Sequence, residues 1–285
     1  MDGIVNVMKP AGMTSHDVVA KLRRVYHTKK VGHTGTLDPD AVGVLPVCVG
    51  QATRLVEYFT EKDKTYKVIM KFGAETNTQD ASGEVTVETE LPSLSKAEFI
   101  AVTEQFIGEI KQVPPMYSAI KINGKKLYEY ARKGQKVEIE PRKIEIYNIE
   151  LLNIDICEKQ IEFKVDCSKG TYIRSLCEDI AVKMGTVGYM SGLQRIRVGE
   201  FKIEQAITVE ELNEMQDKFI TIEDVFNDKN SIVLESKRKL ELFLNGVNLT
   251  YKVKDGIYKV YFENKFVGIG VANEELLKRD IVIFL

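Results

Sequence analysis

There is no tryptophan in this chain and there are only three histidines and four cysteines. Nor is there an apolar run of roughly 18 residues, the length a membrane helix needs. Each shortage removes a class of function. His16, His27 and His33 pair neither with one another nor with a cysteine at metal-ligand spacing, so no metal site is expected. Cys48, Cys157, Cys167 and Cys177 are dispersed without a C-x-x-C pair, and read as reduced, mostly buried thiols of a cytoplasmic protein. The first ten residues carry Asp2 and Lys9 around no long apolar centre, unlike a secretory signal. No G-x-x-x-x-G-K-[ST] loop, no G-x-G-x-x-G after a strand pattern and no G-x-S-x-G is present. Ser15, His16 and Asp17 are contiguous, whereas catalytic triads converge in space from separate segments. Carboxylates, tyrosines and arginines remain for chemistry, and no cofactor is expected.

What is present describes a folded chain. Hydrophobic residues make up 44% of its 285 positions, enough for a real core, and 29% are charged. The length fits one large domain plus a small one. The net charge of −2 is not that of a general polyanion binder, so local distribution matters more. Between residues 121 and 143 lie Lys121, Lys125, Lys126, Arg132, Lys133, Lys136, Arg142 and Lys143, against Glu129, Glu138 and Glu140, with Tyr128 and Tyr130 among them. Compensating acids sit elsewhere, as Glu210, Glu211, Glu214 and Asp217. A basic face with an acidic back suits a selective RNA ligand, although a solvated charged surface reads the same way.

Thr14 to Tyr26 is expected to be helical. Thr14 and Asp17 fit a capping box, and Val18, Leu22 and Val25 recur at helical spacing. Residues 66–72 and 161–167 alternate apolar and polar and predict half-buried strands. Residues 95–107 and Ser175 to Met184 predict helices. Strands and helices mix without a regular βαβ alternation, so the expected class is α+β with a mostly antiparallel sheet. A boundary is expected in the polar stretch 227–231, separating 1–226 from a small domain at 231–285. There, Ile257–Phe262, Phe266–Val271 and Ile281–Leu285 read as short strands, the first two joined tightly at Glu263-Asn264.

The segment Gly32-His33-Thr34-Gly35-Thr36-Leu37-Asp38-Pro39-Asp40-Ala41-Val42-Gly43-Val44-Leu45-Pro46-Val47 holds three glycines and two prolines, so it is neither one helix nor one central strand. Pro39 pushes Asp38 toward an extended or turn conformation. The result is a carboxylate on a short, stiff loop, ending a run of Lys21, Arg23, Arg24, Lys29 and Lys30 that contains no acid. An ordinary turn aspartate would look the same.

G-H-T-G-T-L-D-P-x-A-x-G-x-L-P resembles the catalytic motif of the TruB family, bacterial tRNA pseudouridine synthases acting on uridine 55 of the T loop. Further blocks follow the family's order: Lys9-Pro10-Ala11-Gly12-Met13-Thr14-Ser15, Asp63-Lys64-Thr65-Tyr66-Lys67-Val68, Thr76-Asn77-Thr78-Gln79-Asp80-Ala81-Ser82-Gly83, Pro114-Pro115-Met116-Tyr117-Ser118-Ala119 and Lys169-Gly170-Thr171-Tyr172-Ile173-Arg174. The likeness spans roughly residues 5 to 200. It implies a pseudouridine synthase fold with the active site in a cleft across the sheet. The C-terminal part more weakly resembles the family's PUA domain, a small RNA-binding β-barrel, through Gly246 and Gly268-Ile269-Gly270.

The resemblance also implies roles. Asp38 is the expected nucleophile and Arg174 its partner, a cation expected to hold the carboxylate ionised by lowering its pKa about 1 to 3 units. Tyr66 and Tyr172 are expected in the uracil pocket, Tyr66 also assisting proton removal from C5. Leu193, in Ser191-Gly192-Leu193-Gln194-Arg195, would line the same pocket. His33 would fill the space left by the flipped base. Lys9 is expected to touch phosphate, Asp80 to orient Arg174 or an RNA hydroxyl, and Arg132 and Lys133 to bind phosphate within a basic insertion. The expected partner is tRNA, through its T stem-loop, with no membrane and no obligatory protein partner. Rival readings are a guide-RNA-dependent relative of the family, a non-catalytic RNA-binding module, and a nucleoside or glycoside hydrolase using Asp38, for which only Asp40 and Asp80 are at hand as a second carboxylate.

Overall fold

A computed structural model of the chain describes residues 2–90, 94–135, 137–213 and 219–283. Lys136, Glu214 and Asp217 of the charge pattern lie outside these residues, as do the last two positions of the strand expected at Ile281–Leu285.

Helix α1 (Ser15–Val25) starts where its cap dictates. The Thr14 hydroxyl accepts from the Asp17 N–H at 3.1 Å, and the Asp17 carboxylate accepts from the Thr14 N–H at 2.8 Å. Its apolar face, Val18, Val19, Leu22 and Val25, is buried against the first strands of the chain.

Ten strands form one mixed sheet: β1 (Gly3–Lys9), β2 (Val31–His33), β3 (Val42–Val49), β4 (Lys64–Phe72), β5 (Gly108–Gln112), β6 (Arg142–Asp155), β7 (Gln160–Cys167), β8 (Gly188–Val198), β9 (Phe201–Lys202) and β10 (Ile207–Thr208). The spatial order is β10-β1-β3-β8-β4-β7-β6-β5, with β2 on β3 and β9 on β8. Among the described residues of this sheet, only β1–β10 and β3–β8 pair in parallel. The β3–β8 seam is two residue pairs long, Val42 with Gln194 and Gly43 with Arg195. Gly43 has φ +117°, and a Cβ there would lie 2.2 Å from the Arg195 carbonyl oxygen, so only glycine lets these strands close.

Helix α2 (Ile173–Lys183) begins two residues earlier than expected, which places Arg174 in its first turn. Ile173, Leu176, Cys177, Ile180 and Ala181 pack on Val68, Met70 and Phe163 of the sheet and on Phe99 of the helix Lys96–Thr103. Each fully buried Leu, Ile, Val, Met or Phe among them contributes about 1.5–3 kcal/mol relative to exposure.

The basic run does not form one unit. Residues 121–131 make a small hairpin (Lys121–Ile122 with Lys125–Lys126) and a short helix, Leu127–Ala131. Arg142 and Lys143 instead open β6, where Lys143 pairs with Glu109 at 2.7 Å. Ile144 and Ile146, alternating into the core, draw those two basic residues into the sheet.

A second sheet is drawn from β11 (Ser231–Val233), β12 (Leu249–Thr250), β13 (Gly256–Phe262), β14 (Lys265–Asn273) and β15 (Leu276–Val282), in the order β11-β13-β14-β15-β12. Glu263 and Asn264, both left-handed, make the two-residue turn expected between β13 and β14. The last strand starts five residues earlier than expected, at Leu276. This sheet is curled around Phe243 and is compatible with a PUA-like barrel. Ile269 and Ile281 join Ile222 and Phe226 in one shared core. Among the described residues no helix is long and apolar enough to cross a membrane.

Candidate active site

The loop between β2 and β3 carries Asp38, and its backbone is pinned almost residue by residue. The N–H and hydroxyl of Thr34 both donate to Pro46 O, at 3.2 and 3.1 Å. Arg195 donates to Gly35 O at 3.1 Å, Thr36 O at 3.4 Å and Val44 O at 2.8 Å. Ser15 Oγ accepts from the Leu37 N–H at 2.9 Å. Lys9 Nζ donates to Pro39 O and Pro10 O, both at 2.9 Å, and to Met13 O at 2.5 Å. Ala41 N–H closes the turn on Asp38 O at 3.1 Å.

Lys9 and Arg195 are 0% and 1% exposed. Carbonyl dipoles of the loop offset the desolvation of both cations. This corrects the phosphate role expected of Lys9: its ammonium is under the loop with all three donors occupied, and burial pulls its pKa down to about 8. Arg195 is the site residue that sequence patterns did not single out. It stands two residues after Leu193, but its place opposite Tyr66 and Gly43 follows only from strand pairing. Ser15, discarded as a triad member, holds the residue before Asp38.

Arg174 meets the Asp38 carboxylate side-on, Nε to Oδ2 at 3.2 Å and Nη2 to Oδ1 at 3.4 Å. The guanidinium is held from behind by Tyr117 O at 2.9 Å and Thr78 O at 3.3 Å, with Asp80 Oδ2 at 3.7 Å. Asp80 is itself oriented by Thr78 Oγ1 at 2.7 Å and the Ser82 N–H at 3.0 Å. The Arg174 side chain is 8% exposed and that of Asp38 38%, so the carboxylate opens on solvent while its partner does not.

Asp38 titrates above its ordinary value, not below it as the cation alone would dictate. Burial pushes it up, Arg174 pulls it down, and the nearby carboxylates Asp80 and Asp40 push it up again.

Asp38, Asp80, Arg132, Arg174 and Leu193 line one cleft of about 440 Å³, with Tyr117 and Met190 completing its wall. Tyr66 is buried beneath, packed with Leu37 and Ala41; burial raises its hydroxyl pKa against the opposing effect of the Arg195 guanidinium. Tyr172 precedes α2. Its backbone N–H and C=O both bond the Gln112 side-chain amide, at 2.8 and 3.0 Å, and burial likewise raises its pKa. His33, at the end of β2, accepts from the Gly35 N–H at Nδ1, 3.3 Å, which leaves the ring proton on Nε2. Burial and the edge-on neighbour His16 lower its pKa to about 4, so the ring is neutral at pH 7. Lys133 is exposed beside Arg132. Among the described residues, no cluster of His, Cys, Asp and Glu is arranged to hold a metal ion.

A carboxylate clamped by a guanidinium stands in a cleft across a mixed sheet, and the matching family model and relatives make this a pseudouridine synthase. The fold agrees with a chain of an H/ACA RNP bound to a substrate RNA containing 2′-deoxyuridine, at a TM-score of 0.71 and 24% identity over 99% of this chain and 85% of that one. A chain of a Cbf5–Nop10–Gar1 complex matches at a TM-score of 0.69 and 27% identity, over 95% and 78%.

More narrowly, the chain belongs to the TruB family of pseudouridylate synthases. Residues 23–173 match the family's N-terminal domain, and residues 174–228 match the tRNA pseudouridylate synthase B C-terminal domain. It is 46% identical over 287 residues to tRNA pseudouridine synthase B of Caldanaerobacter subterraneus subsp. tengcongensis, covering 98% of both chains. It is 44% identical over 294 residues to the Clostridium kluyveri protein of that name, covering all of both.

Proposed function

We propose that this protein converts uridine 55 in the T loop of tRNA to pseudouridine, with Asp38 as the nucleophile on a flipped-out base. The carrying observation is the Asp38–Arg174 pair: a solvent-facing carboxylate on a backbone pinned by hydrogen bonds, met by a buried, bidentate guanidinium. The near-full-length identity to bacterial tRNA pseudouridine synthase B proteins supplies the substrate class and favours a stand-alone enzyme over the guide-RNA-dependent relatives, which are far less similar.

The reaction breaks the N1–C1′ bond, turns the uracil, and joins C5 to C1′. The C5 proton leaves and N1 ends protonated, so substrate and product are isomers and no redox partner is needed. Ionised Asp38 supplies the negative charge and lone pair for this exchange, and Arg174 keeps it ionised and oriented. Flipping the base costs a few kcal/mol, and aromatic stacking returns about 1–3 kcal/mol, the part assigned to Tyr66 and Tyr172. His33, neutral and part-buried, is suited to fill the vacated space without adding charge. Arg132 and Lys133 contact phosphate and fix the RNA's position without reading its sequence.

The test is incubation with unmodified tRNA and mapping of pseudouridine by position. Conversion at position 55 by wild type, lost in Asp38→Ala with RNA binding retained, supports the reading. Conversion elsewhere, or equal conversion by the mutant, rejects it.

A further inference from the structure

Glu178 stands outside the cleft, one turn along α2 from Arg174, and the chemistry above makes no use of it. Its carboxylate accepts from the side-chain amide of Gln79. The Gln79 amide oxygen in turn lies 3.3 Å from Ser175 Oγ, which is 3.1 Å from Val113 O. The Ser175 hydroxyl has one hydrogen for these two oxygens, so the firm tie of Gln79 to α2 is its amide N–H to Glu178, one turn beyond Arg174.

The turn containing Gln79 is the one that holds Arg174 from the opposite side. Thr78 O accepts from its Nη1, and Asp80 stands against the same nitrogen. Gln79 occupies this place with φ +63°, left-handed and uncommon for a residue with a side chain. Its backbone is fixed there by Thr76 O and by the Met190 N–H, each at 3.1 Å. A left-handed residue whose side-chain amide donates to the helix bearing Arg174 is built to hold a distance.

We propose that Gln79 and Glu178 are positioning residues for the isomerisation: the Gln79 amide, gripped by Glu178, fixes the 77–80 turn against α2 and so sets the angle at which Arg174 meets Asp38. This rests on the reading of Asp38 and Arg174 as the reacting pair. The charge on Glu178 makes the grip adjustable. Burial, with Glu75 of the short strand Ala74–Thr76 and Asp179 of α2, raises its pKa to about 7. Among the described residues, Glu75 and Tyr117 line a recess of about 400 Å³ together with Glu178. An ionised carboxylate accepts more strongly than a protonated one, so the grip tightens as pH rises through 7.

The test is single-turnover conversion of unmodified tRNA at saturating enzyme, with modified position, RNA affinity and melting temperature measured for each variant. Glu178→Ala and Gln79→Ala should each lose about ten-fold in rate with affinity unchanged within about two-fold, the signature of misaimed groups. Glu178→Gln, whose amide oxygen still accepts, should keep most of the rate at about pH 8 and lose the rise that wild type displays around neutrality. Full turnover in both alanine variants, or a Glu178→Gln profile that overlays wild type, overturns the proposal. A lowered melting temperature with no loss of rate in the folded enzyme also overturns it. If wild type forms no pseudouridine, the reading of the cleft fails and takes this inference with it. An active wild type with indifferent variants rejects the inference alone.

Discussion

Asp38 and Arg132 line the same cleft, yet they stand on opposite kinds of structure. Asp38 sits on a loop whose neighbours Gly35, Thr36, Leu37 and Pro39 are each bonded to a buried side chain from another part of the chain. Arg132 follows a hairpin of two residues per strand and a helix of five, in a segment where Leu127 is the buried apolar anchor and most of the surface is charged. The first arrangement supplies precision at the reacting atoms. The second supplies charge that adapts to a backbone of phosphates, where close placement matters little.

That contrast breaks most visibly at Asp38. Asp38→Ala or Asp38→Asn should cut conversion by about 10³-fold or more while tRNA affinity changes little. In wild type, kcat/KM should fall on the acid side at a pH above the ordinary aspartate value, because the carboxylate must be ionised and its pKa is raised. A mutant converting at near wild-type rate sinks the assignment.

Arg174→Lys should cost about 10²-fold in single-turnover rate, since an ammonium cannot reproduce the side-on pair. Equal turnover would detach the guanidinium from the chemistry.

Arg195→Met tests whether pinning the loop matters apart from the reacting groups. It strands the carbonyls of Gly35, Thr36 and Val44, at about 1–3 kcal/mol for each left buried without a partner. Both melting temperature and conversion rate should drop, the latter by about ten-fold. Loss of stability with an unaltered rate would confine Arg195 to folding.

Neutralising Arg132 and Lys133 together should act on the other member of the comparison. Affinity for all tRNAs should weaken alike, and the salt dependence of log K should flatten by roughly 0.7 to 0.9 for each phosphate no longer neutralised. The modified position should not move. An unchanged slope would reduce this segment to a solvated face and turn attention to Lys21–Lys30.

The smallest effect concerns His33. Its folded pKa of about 4 lies below the ordinary 6.5, so between these values the unfolded chain takes up the proton first. Stability therefore falls as pH drops through that window. His33→Gln should soften the fall, by about 2–4 °C in melting temperature at mildly acid pH. Parallel acid-melting curves would show that the ring is solvated after all.

Much of this plan is legible in the residues. The cap at Thr14, the alternations at 66–72 and 161–167, the turn at Glu263-Asn264 and the stiff Asp38 loop are written in local patterns, and local patterns decide them. What escapes is set by pairing between distant strands. Arg195 looks like one more polar residue of an alternating strand until the β8 register places it under the loop. Lys9 looks like a surface cation because its three carbonyl partners are backbone atoms, invisible to any reading of side-chain types. The sign of the Asp38 shift is missed when Arg174 is weighed without burial or the acids at 40 and 80.

The two-pair seam between β3 and β8 has a consequence for the gene. Asp38 belongs to one half of the sheet and Arg174 packs behind the other, and Gly43 is where the halves touch. Every missense change of a glycine codon adds a Cβ, and here that atom would sit 2.2 Å from a main-chain oxygen. Alleles altered at codon 43 should behave as nulls although every reacting side chain is still encoded. Suppressors of such alleles should map to the β8 segment around Arg195 rather than to the cleft.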